Sequence, residues 1–467
     1  MKMALIGGGS LRTPYFVEAL VRHAGDLGIS ELSIMDNDAQ KLQIFGGLSI
    51  YQAQKQGTQV KMSLTTDPIE AVKDAQYVVT TLRVGQDRAR VLDERVALAQ
   101  GVIGQETTGP GGFAYALRTI PVMLSYMELV KQYAAPEALV FNFTNPAGLV
   151  TQAMVDAGYR NIIGICDNAT GMKIELGKAL RLNAGDFFVR SYGLNHLSWA
   201  DQVLVHGVNI LPKLMERESF VANFHDFTYF DRDLIRRRGT IPNGYLYYYY
   251  HRDQALKNML KAEKTRGESI LEINGKMMWD LRAFDPGDYE AINRCYREAM
   301  QRREGSYMAM EMGGTKPQQE EIDLKALGIP ELAPAGGQVQ LLEGYAGIVF
   351  NYIKAVHTGR AVDVALNVPN NGSIRGMEPD DVVEVSCLVD RDGAHPVKII
   401  DPDEENLLLM KQVKRYEKLT VQAVAQRSVL TAAHALMNHP LVGSWPLAKA
   451  LVEKYMQVHA DYLKDWQ

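Results

Sequence analysis

The sequence predicts an α/β fold in which an N-terminal doubly wound parallel sheet is followed by a mixed α+β, largely helical part. Three observations lead to this expectation. Short apolar runs alternate with helical patterns over the first 165 residues, and a glycine-rich turn follows the first of these runs. Beyond residue 210, helical patterns predominate. Such an alternation is typical of parallel strands that are joined by crossover helices.

The apolar runs predict five parallel strands, and the helical periodicity predicts helices between them. The predicted strands are 2–6, 31–35, 77–82, 138–143 and 161–165. The predicted helices are 13–26, 38–55, 69–74 and 116–133. Because ligands of doubly wound sheets bind at the carboxyl ends of the strands, we expect the functional residues of this half to lie there.

The second half of the chain predicts helices for the most part. The predicted helical regions are 210–235, 245–310, 340–357 and 404–465. The stretch 315–337 is rich in proline, glycine and charge, which predicts a loop, and 382–399 predicts a short β segment. We expect the boundary between the two parts of the chain to fall between residues 170 and 200.

The composition is that of a globular protein long enough for two domains, with 467 residues, 46% hydrophobic and 22% charged. A net charge of −5 argues against non-specific binding to nucleic acid. No apolar run approaches the ~20 residues that cross a membrane, and the short apolar start passes into glycines. We therefore expect no membrane partner and no signal peptide. The odd count of three cysteines favours a reducing cytoplasm over a disulfide framework.

The turn after the first apolar run is typical of a Rossmann-like dinucleotide-binding domain. Gly7 permits the turn, and Gly9 lets the backbone approach a pyrophosphate at the start of the next helix. Asp36 ends the second apolar run, 29 residues after Gly7, where a carboxylate accepts hydrogen bonds from the ribose of NAD. Arg12 stands where the third glycine of the pattern belongs, so an ordinary strand-to-helix turn is the alternative. We assign Gly7, Gly9, Ser10 and Asp36 to NAD rather than NADP, because Asp36 would repel a 2′-phosphate.

Two later strand ends carry polar residues. Asn145, before Pro146, either caps the following helix or holds a sugar hydroxyl or phosphate oxygen. Cys166 closes the next strand, followed by Asp167, and His196 comes 30 residues later. Taken singly, Cys166 and His196 are each most simply an ordinary core side chain. Together, a thiolate and an imidazole could ligate a divalent metal and leave positions open for substrate oxygens.

A glycine-rich loop and an arginine cluster lie between these strands. The stretch 101–112 is a surface loop or a segment that brings its backbone and its one acid, Glu106, against a ligand. Arg83, Arg88 and Arg90 follow the third strand. Such a cluster suits a phosphate, although a solvated surface is the alternative.

Five of the six residues 245–250 are tyrosine. On a helix, Tyr245, Tyr248 and Tyr249 share a face, which is most simply an aromatic packing surface. A phenol near a metal and a cation would have a lowered pKa and could act as a base, and Arg266 is a candidate for that cation.

Taken together, these segments resemble the NAD- and metal-dependent glycosidases of glycoside hydrolase family four. The resemblance covers most of the chain. It is carried by residues 7–10, 83–85, 104–112, 143–148, 166, 193–196, 242–249, 265–267 and 367–372.

Within that family the chain looks most like the 6-phospho-glucosidases. Arg90 matches the arginine that those enzymes direct at the sugar 6-phosphate, and Asn145 matches an asparagine beside the substrate. The residues around Asn145 and the tyrosine run favour the β-specific members. Asp167 departs from this pattern, because the β-specific members usually carry asparagine there, whereas aspartate is the general acid of the α-specific members. A 6-phospho-α-glucosidase is therefore the alternative.

The resemblance implies a redox-assisted elimination. NAD takes hydride from C3 of the sugar, a Mn²⁺-like metal on Cys166 and His196 polarises its oxygens, and Tyr245 removes the C2 proton. Asp167 protonates the leaving oxygen, water adds, and NADH returns the hydride. The residues assigned to the substrate, a phosphorylated disaccharide or aryl glycoside, are Arg90, Asn145, Glu106 and Arg266.

The implied organisation is an NAD-binding domain, 1–195, and a domain for substrate, metal and oligomerisation, 196–467, in a cytoplasmic homodimer or homotetramer. Three other functions compete with this one. They are an NAD-dependent 2-hydroxy acid dehydrogenase, a glycosidase for unphosphorylated galactosides or glucuronides, and an inert NAD-binding sensor. Asp167 argues against the second, since such members usually carry histidine after the metal-binding cysteine.

Overall fold

The computed structural model describes residues 1–305, 341–342 and 344–467. The predicted loop at 315–337 lies outside them. The described residues form two compact units, each made of more than one stretch of chain. The first unit contains residues 1–163, 253–305 and 412–467, and the second contains 164–252, 341–342 and 344–411.

The strands of the described residues are β1 (Lys2–Ile6), β2 (Glu31–Met35), β3 (Lys61–Thr65), β4 (Tyr77–Thr80), β5 (Leu139–Asn142), β6 (Ile162–Gly164), β7 (Phe187–Leu194), β8 (Leu197–Val205), β9 (Val208–Asn209), β10 (Ile241–Pro242), β11 (Val362–Pro369), β12 (Val382–Asp390) and β13 (Gly393–Pro396).

The first half of the described chain holds the helices α1 (Thr13–Leu27), α2 (Ala39–Lys41), α3 (Gly47–Lys55), α4 (Pro68–Val72), α5 (Gln86–Ala99), α6 (Gly109–Tyr133), α7 (Ala147–Asp156), α8 (Asn168–Leu180), α9 (Leu211–Met215), α10 (Glu218–Asn223) and α11 (Arg232–Arg238). A π-helical turn, Leu42–Gly46, joins α2 to α3.

The remaining described helices are α12 (Tyr247–Tyr250), α13 (Arg252–Lys261), α14 (Arg266–Asp280), α15 (Tyr289–Gly305), α16 (Gly344–Thr358), α17 (Glu404–Gln426), α18 (Val429–Asn438), α19 (Trp445–Val458) and α20 (Ala460–Leu463). Short 3₁₀ turns occur at His225–Tyr229, Gly244–Leu246 and Leu281–Ala283.

The first unit is built on a parallel sheet with the strand order β6-β5-β4-β1-β2-β3. The registers of β1 with β2 and β4, of β2 with β3, and of β4 with β5 are all parallel. This order is that of doubly wound dinucleotide-binding folds, in which ligands bind where the strand order reverses, here between β1 and β4. The predicted α/β class with an N-terminal Rossmann-like sheet is confirmed.

Two internal contacts of this unit fix the helices that carry predicted site residues. Arg118 of α6 makes a bidentate, buried ion pair with Asp93 of α5, at 2.8 and 2.7 Å, which holds α5 against α6. An apolar cluster that includes Phe45, Leu48 and Met277 packs α3 and the preceding π-helical turn against α14 and α15. These contacts orient α5, which carries Arg90 and Glu94, and α14, which begins at Arg266.

The second unit is built on antiparallel strands in the order β10-β8-β7-β12-β11, with β9 on β8 and β13 on β12. Strands β7 and β8 form a hairpin whose Leu194 and Leu197 are paired, so that its loop has two residues. Glu384 of β12 pairs with Gly193 of β7, which places the middle of β12 beside the end of this hairpin.

Several observed strands were not predicted. Strand β3 is a half-buried edge strand with the sequence Lys-Met-Ser-Leu-Thr, so it has no continuous apolar run. Strands β7, β8 and β11 are long antiparallel strands, whose alternation of buried and less buried residues differs from the apolar runs of the parallel strands. The predicted division at residue 195 falls in the β7–β8 turn, inside the second compact unit, and stays a prediction.

In the described residues, no helix combines the length and the apolar character that crossing a bilayer requires.

Candidate active site

The four residues predicted to bind NAD lie together at the carboxyl ends of β1 and β2. Gly7 has a φ of +97°, and a Cβ there would lie 2.7 Å from the carbonyl oxygen of Thr81. The amide of Gly9 donates to Oδ2 of Asp36 at 2.8 Å, and the amide of Ser10 donates to the oxygen of Gly7 at 3.1 Å. A side chain at Gly7 or Gly9 would thus collide with neighbouring atoms, which explains the two glycines. The loop fits the pyrophosphate of a dinucleotide, which such turns hold.

Cys166 and His196 are brought together in the second unit. The Cys166 sulfur, just after β6, lies 3.5 Å from Nε2 of His196, and both residues are buried. Thiolate and imidazole ligands that bind one cation at about 2.0–2.4 Å lie about 3–4 Å apart. The pair therefore fits a single divalent ion. The described residues contain no group of three or more His, Cys, Asp and Glu that could hold a metal, so coordination positions would remain for substrate.

His196 occupies the second position of the β7–β8 turn. Its φ of +62° is in the left-handed region that favours glycine or asparagine. The sheet fixes the flanking residues, since Leu194 and Leu197 are paired directly. The turn therefore holds the imidazole against Cys166 in a conformation that costs about 1 kcal/mol for a non-glycine residue.

The thiol of Cys166 lies in an environment that favours its protonated form when no cation is present. Burial raises its pKa well above the ordinary value, and the negative charges of Glu384 and Asp167 add to this. A divalent cation reverses such a balance, because it stabilises the thiolate directly. Asp167 is half-buried at the start of α8, where its backbone oxygen accepts a hydrogen bond from Gly171 at 2.8 Å.

Tyr245 stacks on the predicted metal ligand. The ring centroids of Tyr245 and His196 are 3.8 Å apart, and the planes differ by 6°. The Tyr245 amide donates to Oδ1 of Asn243 at 3.0 Å, and the Asn243 amide donates to the oxygen of Ser198 at 2.9 Å. Tyr245 thus lies in a 3₁₀ turn anchored to β8.

The other tyrosines of this run pack in the protein. Tyr248, on the predicted face, is buried, but Tyr249 of the same face is half-buried, and Tyr247, which lay outside that face, is buried instead. Tyr250 accepts a hydrogen bond from Nε1 of Trp199 at 3.0 Å.

In the first unit, Arg90 and Glu106 belong to one buried network of charges. Arg90 Nε donates to Glu94 at 2.8 Å, and its Nη1 lies 2.8 Å from Oε2 of Glu106. Arg83 forms a second ion pair with Glu106. Burial acts to raise the pKa of Glu106, but Arg83 and Arg90 outweigh it and hold that pKa at about 2. Arg88, the third arginine of the predicted cluster, is exposed instead.

Arg266 is linked to the same region of the first unit. Its Nη2 donates to the backbone oxygen of Arg303 at 3.0 Å, and the next amide, that of Gly267, donates to Glu94 at 2.7 Å. The pKa of Arg303 is lowered to about 10, first by burial and then by repulsion from Arg83 and Arg12. Positive charge is therefore concentrated here, which favours the binding of an anion.

Asn145 lies one residue before Pro146, which is the N-cap of α7 and makes no side-chain capping hydrogen bond. Its Oδ1 accepts the amide of Ala147 at 3.3 Å, and the Asn145–Pro146 peptide bond is cis. A contact of Asn145 with substrate stays a prediction.

Glu384, a buried acid on β12, was not among the predicted site residues. It accepts hydrogen bonds from Ser198 at 2.8 Å, Asn195 at 3.2 Å and Asn367 at 3.4 Å. The signal for it was present, because Glu384 is a lone charged residue between Val383 and Val385 in a strand rich in valine.

Replacing Glu106 with glutamine is expected to destabilise the chain by about 3 kcal/mol near neutral pH, because it removes the carboxylate shared by Arg83 and Arg90. Glu106 titrates at about 2 in the folded chain, compared with an ordinary value of 4.5. Its contribution is therefore complete above about pH 4.5 and is lost as the pH falls towards 2. The measurement is the free energy of unfolding of both proteins by denaturant across this range.

Glu290→Gln is the matched control, because Glu290 pairs with Lys55 at the surface, where their side chains are 60% and 57% exposed. We expect this variant to unfold nearly as the wild type does. A loss for Glu106→Gln no larger than that of the control would contradict the prediction. So would a loss that stays constant down to pH 2.

The comparison with known proteins covers both halves of the chain. The model for the family 4 glycosyl hydrolases matches residues 2–182, and the model for the family 4 glycosyl hydrolase C-terminal domain matches residues 191–442. The chain is 30% identical over 471 residues to a probable 6-phospho-β-glucosidase of Bacillus subtilis (strain 168), covering 99% of this chain and 97% of the relative. It is also 28% identical to a maltose-6′-phosphate glucosidase of that strain, covering 98% and 96%.

A solved structure is similar over the same length. The 6-phospho-β-glucosidase of Thermotoga maritima, in a structure with manganese, NAD⁺ and glucose-6-phosphate, has a TM-score of 0.79 and 27% identity, and 99% of each chain is covered. The resemblance first drawn from the motifs is thereby confirmed. The two family models and the full-length relatives show that this chain belongs to family 4 of the glycosyl hydrolases.

Proposed function

We propose that this enzyme hydrolyses 6-phospho-glucosides, with the β anomer preferred, and that it depends on NAD and a divalent metal, Mn²⁺. The observation that carries the proposal is the buried Cys166–His196 pair with the ring of Tyr245 stacked on it. The names of the three relatives support phosphorylated glucosides as the substrate class. We assign the reaction as oxidation at C3, elimination of the aglycone, addition of water and re-reduction.

The residues fit both bound groups. Cys166 and His196 would hold the metal, and the loop of Gly7, Gly9, Ser10 and Asp36 would hold the dinucleotide. When bound, NAD supplies a hydride acceptor, and the metal supplies a Lewis acid that polarises the sugar oxygens.

The chain's own residues move the protons. Tyr245, as the phenolate, accepts the proton from C2 of the sugar and becomes the neutral phenol, and stacking on His196 fixes the ring in place for this transfer. Asp167, which directly follows Cys166, donates a proton to the glycosidic oxygen as the aglycone leaves.

The charge network of the first unit binds the phosphate. Arg90 contacts it, with Arg266 and Asn145 beside the sugar, while Glu106 fixes the arginines that it pairs with. The pKa of Arg303 is lowered first by burial and then by repulsion from Arg83 and Arg12, and these neighbouring arginines favour a dianionic ligand in this region.

The same proposal includes the domain organisation, the assembly and the range of aglycones. Each chain would consist of an NAD-binding domain, residues 1–195, and a domain for substrate, metal and assembly, residues 196–467. Two or four chains would assemble into a homodimer or homotetramer in the cytoplasm. Aryl 6-phospho-glucosides would be accepted as well as disaccharides, because the assigned residues contact the glucose 6-phosphate and the reacting carbons rather than the aglycone.

The test is hydrolysis of p-nitrophenyl 6-phospho-β-glucoside and of its α anomer, each with and without Mn²⁺ and NAD⁺ under reducing conditions. We expect cleavage that requires both additions and is faster for the β anomer. The unphosphorylated p-nitrophenyl glucoside is the control for the phosphate and should be cleaved poorly. Faster cleavage of the α anomer would overturn the proposed β preference and place the chain with the α-specific members, which carry aspartate at the position of Asp167. Stoichiometric NADH without cleavage would instead return the protein to the dehydrogenases.

A further inference from the structure

Glu384 is a buried acid that the proposed mechanism does not use. It is 2% exposed on β12, and burial raises its pKa. Among the described residues its hydrogen-bond donors are three uncharged side chains, those of Ser198, Asn195 and Asn367. Burying a carboxylate with neutral partners alone is costly, so a residue of this kind is rarely an incidental part of a core.

Each of the three donors either lies in a segment that carries a predicted site residue or is hydrogen-bonded to such a segment. Asn195 directly precedes His196 in the β7–β8 turn. Asn367 also donates to the backbone oxygen of Gly164 at 3.4 Å, two residues before Cys166, and the two residues pair across β11 and β6.

Ser198 provides the third link. Its hydroxyl donates to Glu384, accepts from Nδ2 of Asn243 at 3.3 Å, and its backbone oxygen accepts the Asn243 amide at 2.9 Å. Asn243 in turn holds the amide of Tyr245. A single carboxylate therefore ties together the segments of the thiol, the imidazole and the phenol.

We propose that Glu384 is a positioning residue that holds the segments of Cys166, His196 and Tyr245 in mutual register through Asn367, Asn195 and Ser198. It acts through these residues and does not touch the reacting atoms. The proposal rests on the metal site of the proposed function. The two carboxylate oxygens of Glu384 have different donors. Oε1 accepts the hydrogen bond from Ser198, and Oε2 accepts those from Asn195 and Asn367.

Glu384→Gln is the first variant. A carboxylate accepts on both oxygens, whereas the glutamine amide accepts on one, so the variant loses the contacts of one oxygen. We expect the dissociation constant for Mn²⁺ to rise about 10–100-fold, as is typical when a partner behind a metal ligand is changed. The readout is free Mn²⁺, measured by electron paramagnetic resonance during titration of metal-stripped enzyme, which needs no turnover.

Ser386→Ala is the matched control. Ser386 is two residues away on β12, is buried, accepts the amide of Ser191 at 2.9 Å and donates to the oxygen of Val189 at 2.8 Å. The change removes contacts of β12 to β7 of a similar kind, away from the site. It should lower the melting temperature while leaving the affinity for Mn²⁺ within about twofold of wild type.

Ser198→Ala tests the other arm and also serves if Glu384→Gln does not fold. It removes the hydroxyl that joins Glu384 to the side chain of Asn243, and it leaves in place both the asparagine contacts and the backbone hydrogen bond between residues 198 and 243. We expect kcat to fall about 10-fold with KM and Mn²⁺ affinity nearly unchanged, because the phenol is displaced while both ligands stay. Wild-type kcat in this variant would overturn the proposal, and so would a folded Glu384→Gln in which both the Mn²⁺ affinity and kcat are those of wild type.

Cys166→Ala in the same titration separates this inference from the proposed function. If it binds Mn²⁺ as the wild type does, the metal site itself is wrong and both proposals fail. If it loses Mn²⁺ while Glu384→Gln and Ser198→Ala behave as the wild type, only the positioning role of Glu384 fails.

Discussion

Cys166→Ala is expected to weaken the binding of Mn²⁺ by more than about 100-fold, because removing a direct ligand costs more than the 10–100-fold of an outer partner. Hydrolysis should fall with it, and added Mn²⁺ should restore only part of the activity. The structure gives the reason, since the thiol is paired with His196 and the described residues contain no group of three or more His, Cys, Asp and Glu that could hold the ion without it. Titration of metal-stripped enzyme with Mn²⁺, followed by assay at saturating metal, measures both effects.

Cys387→Ala is the control for this prediction. Cys387 is also a buried cysteine of the second unit, and burial raises its pKa to about 12. Its sulfur donates to the oxygen of Val385 at 3.4 Å, so it is an ordinary core residue. We expect this variant to bind Mn²⁺ as the wild type does. Equal loss of Mn²⁺ in the two variants would mean that general damage to the core, rather than a lost ligand, explains the effect.

Tyr245→Phe is expected to lower kcat by about 10²–10⁴-fold, which is the usual contribution of a positioned general base. The phenylalanine ring keeps the stacking on His196, so the affinity for Mn²⁺ should stay close to that of wild type. Exchange of the sugar C2 proton with solvent deuterium, followed by NMR, isolates the step. Exchange at the wild-type rate would rule out Tyr245 as the base.

Tyr248→Phe is the matched control for that variant. The ring of Tyr248 is buried, and its centroid lies 6.0 Å from that of Tyr245. Loss of its hydroxyl should leave C2 exchange intact. If exchange fails in this variant and persists in Tyr245→Phe, the base is the neighbouring tyrosine.

The parallel sheet was predictable because each of its central strands is a continuous apolar run with helices on either side. Strand β3 was missed because it lies at the edge and carries Lys61 and Ser63 on a half-buried surface. The long hairpin of β7 and β8 was missed because antiparallel strands that alternate buried and less buried residues lack continuous apolar runs. Helical periodicity also does not show that 38–55 is interrupted by a π-helical turn.

The site was predictable where its residues stand in short motifs, and less so where contacts span the chain. The Arg90–Glu94 pair follows from four-residue spacing on a helix. That Glu106 takes up both Arg83 and Arg90 depends on how the loop before α6 folds back, which no local pattern specifies. Glu384 lies 186 residues from Ser198, so its role becomes visible only once β12 is placed beside β7.

The two-residue turn that presents His196 also sets a limit on how this chain can change in length. If one additional residue there shifted the pairing of β8 with β7 by one position instead of lengthening the loop, every residue of β8 would move to the opposite face of the sheet. Ser198 would then leave Glu384, and the buried Trp199 would turn towards the other side, in the same event that displaces the imidazole. Surface loops usually tolerate insertions, but this one is held by the paired strands and carries His196, the residue that we propose as a metal ligand.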